Sequence, residues 1–164
     1  MEIERKFLIK DDSYKQMAFA KAEICQAYIC SGHGRTVRIR MRHDIPLDGN
    51  GEPTQKGYLT IKGPSPDGIS RYEWEREIPV DEAKELFNIC EIGRVEKTRW
   101  LVKSGKHIVE VDEFHGDNQG LVFAEIELAD VDEPYTAPPF LGTEVTGDPR
   151  YYNGYLSRNP FCKW

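Results

Sequence analysis

The feature that most constrains this chain is an alternation in which neighbouring charged positions tend to share a sign. Glu2, Glu4 and Lys6 are interleaved with Ile3 and Phe7, Arg38 and Arg40 with Val37, Ile39 and Met41, and Thr60 and Lys62 with Leu59 and Ile61. Glu73 and Glu75 flank Trp74, and Lys97 and Arg99 precede Trp100. Glu110 and Asp112 alternate with Val109 and Val111, and Glu125 and Glu127 with Ile126 and Leu128. A period of two means β-strands, whose residues i and i+2 share a face roughly 6.5 Å apart. Each of these strands therefore has one apolar face and one charged face.

With 30% of residues charged, same-face charged pairs of some kind arise by chance. The segregation of sign is the informative part, because two carboxylates at that spacing repel by roughly 2.5 kcal/mol at an effective dielectric near 20. A sandwich with solvated charged faces tolerates the pattern. A barrel whose charged faces turn inward, with helices over its apolar outside, makes use of it. Its lumen would set Lys6, Arg38, Arg40, Lys62, Lys97 and Arg99 against Glu2, Glu4, Glu73, Glu75, Glu110, Asp112, Glu125 and Glu127. Cationic strands suit a phosphate chain, and paired carboxylates suit hard divalent cations. One ligand meets both demands: a metal-bound polyphosphate.

The remaining composition narrows the class. A chain of 164 residues buries enough surface for one domain, expected to span 1–164. A formal net charge of -6 argues against a nucleic-acid partner, since duplex binding relies on neutralising many phosphates with Lys and Arg. Cys25, Cys30, Cys90 and Cys162 form no CxxC pair, which predicts reduced thiols and a cytoplasmic protein. Glu2, Glu4, Arg5 and Lys6 stand where a leader would need an apolar core, and no apolar run approaches about 20 residues, so no membrane partner is expected.

The pattern predicts eight strands: Glu2 to Ile9, Gln26 to Cys30, Thr36 to His43, Gly57 to Gly63, Arg71 to Ile78, Glu96 to Lys103, His107 to Phe114 and Val122 to Leu128. Asp44 to Lys56 reads as a polar hairpin connection. It is not a calcium loop, because Pro53 stands where the sharp turn needs Gly and Leu59 where a Glu is needed. Asp81 to Glu91 reads as a helix with Ala83, Leu86, Phe87 and Cys90 on one face. Ser13 to Ile24 and Arg150 to Leu156 are two further helix expectations. The GHG run at Gly32 to Gly34 reads as a turn, for no GxxxxGK[ST] or GxGxxG motif is present. The four histidines lack metal-like spacing.

Eight ordered segments resemble the CYTH superfamily, the triphosphate tunnel metalloenzymes. They are EIERK (Glu2 to Lys6), VRIR (Val37 to Arg40), YLTIKG (Tyr58 to Gly63), RYEWEREIP (Arg71 to Pro79), KTRW (Lys97 to Trp100), VDEFHG (Val111 to Gly116), GLVFAEIEL (Gly120 to Leu128) and LGTEVTGDPRYYNGYL (Leu141 to Leu156). The resemblance covers nearly the whole chain. It implies an α+β, mainly antiparallel fold: an eight-stranded closed β-barrel, the triphosphate tunnel, with a few flanking helices. By position it implies Glu2, Glu4, Glu125 and Glu127 as metal ligands, with Asp112 contributing. Lys6, Arg38, Arg40, Lys62, Lys97 and Arg99 are implied as the phosphate cradle, and Glu73 and Glu75 as residues on the tunnel face. Lys6, Glu2, Glu4, Arg38 and Arg40 are the catalytic expectations.

The expected activity is hydrolysis of inorganic tripolyphosphate to pyrophosphate and phosphate with Mg²⁺ or Mn²⁺, two ions being expected. The expected partner is a small-molecule triphosphate, and the expected assembly a monomer or homodimer. The alternatives on the same scaffold are nucleoside or thiamine triphosphate hydrolysis and class IV-type adenylate cyclisation. The alternative of another class is a non-catalytic polyphosphate-binding module. Ala27 and Glu113 depart from the family pattern, and both fall on the face away from the expected tunnel.

Overall fold

The computed structural model describes residues 1–164. Its strands are β1 (Glu2–Ile9), β2 (Ala20–Gly32), β3 (Arg35–Pro46), β4 (Thr54–Lys62), β5 (Ser70–Arg71), β6 (Glu73–Ile78), β7 (Val95–Ser104), β8 (His107–Phe114), β9 (Val122–Leu128) and β10 (Leu141–Glu144). Three short helices accompany them: α1 (Tyr14–Met17), α2 (Val80–Phe87) and α3 (Asn153–Leu156). The strands run antiparallel in the order β10-β1-β9-β8-β7-β2-β3-β4-β6.

Strands β5 and β6 are one run of chain interrupted at Tyr72. The first half pairs with β1, placing Arg71 opposite Glu2, and the second pairs with β4, placing Glu73 opposite Lys62. This run joins the two ends of the sheet into a nearly closed ring whose staves are β1, β9, β8, β7, β2, β3, β4 and β5–β6. The expected antiparallel barrel is met, though it is nearly rather than fully closed and its strand count is slightly higher than eight. β10 is an additional strand laid on the far end of β1, where Phe7 faces Glu144. It is four residues long and carries no alternation of its own, which is why the pattern did not reveal it.

The outer face of the barrel is apolar and covered. Phe7, Val102, Val109, Val111, Ala124 and Ile126 form one cluster with Tyr14 of α1 and with Phe140. Ala27 and Ile39 form another with Ala83 and Phe87 of α2. The helix lies so close to β4 that a Cβ on Gly57 would stand 2.9 Å from the Cβ of Ala83. Ala27 and Glu113 both lie outside the lumen, Ala27 under α2 and Glu113 bonded to Tyr14 Oη at 2.9 Å. One end of the interior is also apolar: Val95, Phe114 and Phe123 meet Tyr151 and Leu156, so the turns at 149–156 close that end.

Several boundaries differ from the sequence expectation, two of them in the helices. The helix expected over Ser13 to Ile24 is limited to Tyr14–Met17, and the chain from Ala20 onward is already in β2, a strand of 13 residues. Its Ala, Lys and Glu residues favour a helix intrinsically, but pairing with β3 on one side and β7 on the other overrides that preference. Helix α2 ends at Phe87, four residues before the expected end, because the following residues close in single turns. The GHG run is a two-residue hairpin turn between β2 and β3, with His33 at φ 53° and Gly34 at φ 77°, the handedness that matches the strand twist.

Candidate functional site

The charged faces turn inward and line a cavity of about 740 Å³. Glu2, Glu4, Lys6, Arg38, Arg40 and Lys62 reach it, as do Glu73, Glu75, Arg99, Glu110, Glu125 and Glu127. Strand register sorts them into two walls. On β1, β9 and β8, Glu4 faces Glu127, Lys6 faces Glu125, and Glu125 faces Glu110. On β2, β3 and β4, Gln26 faces Arg40, Tyr28 faces Arg38, and Arg38 faces Thr60.

The acidic wall is crossed by few cations. Lys6 Nζ lies 2.9 Å from Glu125 and 3.2 Å from Glu4, and faces the rings of Phe123 and Tyr152. Burial opposes its charge, yet Glu125 and Glu4 hold the ammonium well above its ordinary pKa. Glu125 feels burial too, but Lys6 and then Arg99 keep its carboxyl well below the usual range. Glu4 differs: burial and then the neighbouring Glu125 raise its pKa, and Lys6 and Lys62 only partly offset them. Glu127 is raised by partial loss of solvent and by Glu2, Glu110, Glu73 and Glu4, and it has no cationic partner.

The basic wall has the opposite imbalance. Arg38 Nη2 donates to Thr60 Oγ1 at 3.1 Å and to Glu75 at 3.5 Å, while its Nε is buried without a hydrogen-bond partner. Arg40 donates from Nε to Gln26 Oε1 at 2.9 Å. Burial, with Arg38 and Arg99 nearby, pushes its guanidinium down to about 9. Lys62 is better matched, at 2.7 Å from Glu2 and 3.4 Å from Glu73.

Two expected site residues lie elsewhere. Asp112 and Lys97 do not line the cavity; both side chains are fully buried beneath it. Asp112 accepts from Arg99 Nε at 2.7 Å, from Arg99 Nη2 at 2.8 Å and from Lys97 Nζ at 2.6 Å. Its oxygens are thus engaged as the counter-ion of two cations. Lys97 is sealed by Asn153 Oδ1 at 3.0 Å, so it supports the cradle from below rather than facing the cavity. Burial, opposed by Asp112 and aided by Arg99 and Arg40, pushes its ammonium down to about 7.

An inventory of alternating charges missed several residues in or beneath the lining. Gln26, uncharged and fully buried, lies beneath the cavity wall, in step with Tyr28 and opposite Arg40. Arg35 and Arg71 sit at strand ends, and Tyr152 and Asn153 come from the closing turns, where no period signals a face. Arg71 is fixed by carbonyls, donating to Gly63 O at 2.9 Å and to Gly34 O at 3.0 Å.

The donors are of the chemistry a divalent cation takes, but no three of the carboxylates converge on a single point. Glu4 and Glu127 face each other with their charge incompletely compensated, and carboxylate oxygens are the hard ligands that Mg²⁺ and Mn²⁺ take. Glu2 and Glu125 lie beside them on the same two strands. The guanidiniums opposite fit a phosphate chain, for which planar N–H forks are well matched. No helix is long and apolar enough to cross a membrane.

Comparison with known proteins points the same way. The CYTH domain model matches residues 1–152. An inorganic triphosphatase of Acetivibrio thermocellus is 45% identical over 162 residues, which span 98% of this chain and 95% of that protein. An inorganic triphosphatase of Nitrosomonas europaea is 32% identical over 162 residues, spanning 95% and 96%. Among solved structures, the crystal structure of an inorganic triphosphatase aligns with a TM-score of 0.62 at 28% identity, covering 96% of this chain and 94% of that one.

Proposed function

The chain belongs to the CYTH domain family, and we propose that it hydrolyses inorganic triphosphate in its charged barrel with the help of a divalent cation. The observation that carries this reading is the pair of complementary deficits inside one cavity. Arg40 and Arg38 are buried guanidiniums short of anions, and Glu4 and Glu127 are carboxylates short of cations. A metal-bound triphosphate supplies both at once.

In this reading Arg38, Arg40 and Lys62 bind the phosphate oxygens, with Lys6 between them and the acidic wall. Glu2, Glu4, Glu125 and Glu127 would hold the cation. When bound, it supplies Lewis-acid charge to phosphate oxygens and lowers the pKa of a coordinated water. The reaction joins a water oxygen to the terminal phosphorus and breaks its bond to the bridging oxygen, which leaves with the electron pair as pyrophosphate. Charge spreads over the equatorial oxygens during that transfer, and prepositioned guanidiniums stabilise it there. Asp112 keeps Arg99 fixed at the cavity wall and Lys97 fixed beneath it.

The lining favours an inorganic substrate over one with an organic group. Its aromatic side chains are three tyrosines: Tyr28 is buried and bonded to Gln26, Tyr152 is covered by Lys6 and Arg71, and only Tyr155 has an open face. The test is phosphate release from tripolyphosphate, ATP and thiamine triphosphate in parallel, with and without Mg²⁺ or Mn²⁺. Metal-dependent release from tripolyphosphate well above the other two is the expected result. Cyclic AMP with pyrophosphate from ATP, or tight binding with no release from any substrate, would overturn it.

A further inference from the structure

Most cations of this cavity are held by carboxylates. Arg99 lies across Asp112 and reaches Glu110, Lys62 sits between Glu2 and Glu73, and Lys6 sits between Glu4 and Glu125. Arg40 is only 8% exposed, and its one side-chain partner is the amide of Gln26. Gln26 is itself 0% exposed and stands directly across the β2–β3 pair from it. Tyr28 completes the arrangement, its Oη accepting from Gln26 Nε2 at 3.3 Å. The Arg40 contact fixes the amide with its oxygen toward Nε, because the reversed amide would set N–H against N–H there, whereas the Tyr28 hydroxyl can pair with either end.

An ordinary protein interior would place Glu here. A buried guanidinium without a counter-charge is unfavourable, and a charge-assisted pair is roughly twice as strong as a neutral hydrogen bond. The amide takes the opposite course. It fixes the plane of the guanidinium through Nε, and it leaves the positive charge and both terminal nitrogens uncommitted.

We propose that Gln26 is a positioning residue for the substrate: it aims Arg40 at the phosphate track without neutralising it, and triphosphate affinity depends on the residue being an amide rather than a carboxylate. This rests on the triphosphatase reading given above. The same logic distinguishes Arg40 from Arg99, whose charge is already answered by Asp112 and Glu110.

The test compares Gln26→Glu with Gln26→Met, using tripolyphosphate as the probe in a thermal-shift measurement without metal and in steady-state kinetics with Mg²⁺. Gln26→Glu keeps the shape and adds the counter-charge. It should raise KM about tenfold with a smaller change in kcat, raise the Tm of the ligand-free protein, and weaken the shift produced by tripolyphosphate. Gln26→Met keeps the length and removes the acceptor, so it should lower kcat while largely keeping the affinity. Wild-type KM and thermal shift in Gln26→Glu would overturn the proposal. So would equal losses of kcat and KM in both variants, which is what a packing role predicts. Should Gln26→Glu not fold, Gln26→Met decides, and an unchanged kcat there overturns it. Wild-type protein that responds to tripolyphosphate in neither measurement would sink the triphosphatase reading and this proposal together, whereas a failure confined to the variants touches the proposal alone.

Discussion

On the wall built from β1, β8 and β9 the carboxylates outnumber the ammonium groups, whereas on β2, β3 and β4 the guanidiniums and Lys62 meet mainly neutral groups and the carboxylates of other strands. The charged strands of both walls alternate in the same way and turn their charge inward, β2 alone contributing no charge to its inner face. The acidic wall is threaded by Lys6, which shares its ammonium between Glu4 and Glu125. The basic wall has no equivalent anion near Arg40, and an amide stands in its place. A barrel that only had to be stable would pair the walls with each other. Here the pairing is incomplete on both sides, which stores binding capacity for a ligand carrying both signs.

The largest effects should come from breaking that complementarity on either side. Chelation with EDTA should abolish phosphate release from tripolyphosphate, with recovery on adding Mg²⁺ or Mn²⁺; full activity in EDTA would show that the acidic wall holds no catalytic cation. Glu4→Gln and Arg40→Ala should each lower kcat/KM by at least about 100-fold while far-ultraviolet circular dichroism stays unchanged. Loss on one side only would make that wall the catalytic one and the other a scaffold.

Asp112 sharpens the comparison from beneath, since it is the acidic-wall residue whose charge is fully spent. Asp112→Asn would leave Arg99 and Lys97 buried with too little counter-charge. It should lower stability to urea by about 3–5 kcal/mol. A variant as stable as wild type would mean that Lys97 is neutral in the folded protein and that Glu110 and Glu125 suffice for Arg99.

How far the sequence disclosed this site follows from how each residue is encoded. β1, β8 and β9 were legible to the residue, because their inward charges alternate with Ile, Val and Phe, with only Arg5 and Glu113 as charges on the outer face. β2 was not, since Ala22, Ile24, Gln26 and Tyr28 line its inner face without a single charge, and Lys21 and Glu23 point the other way. Asp112 carries the same alternation signal as Glu110, yet it lies one step deeper, where Arg99 and Lys97 enclose it. Period gives the face of a residue but not its depth along the barrel. The closing turns at 149–156 were legible as a short helix and silent as to function, because the groups they contribute, Tyr152 and Asn153, act through rings and amides rather than through charge.

The smallest effect concerns Glu127, at the solvent-exposed end of the acidic wall. Its folded-state pKa is raised, so the folded protein favours its protonated form. Below the ordinary carboxylate range the group costs nothing. As pH rises through that range toward the raised value, ionisation becomes less favourable in the folded chain than in the unfolded one, and the penalty persists at higher pH. At pH 7 and without metal, Glu127→Gln should therefore raise Tm, by no more than about 2 °C given solvent screening at this position. The gain should vanish near pH 4, where wild-type Glu127 is protonated as well. Adding Mg²⁺ should reverse the order, because wild type acquires the cation its carboxylates lack and the variant loses one of the ligands. Equal Tm gains from Mg²⁺ in the two proteins would remove Glu127 from the metal site and leave Glu2, Glu4 and Glu125 to form it.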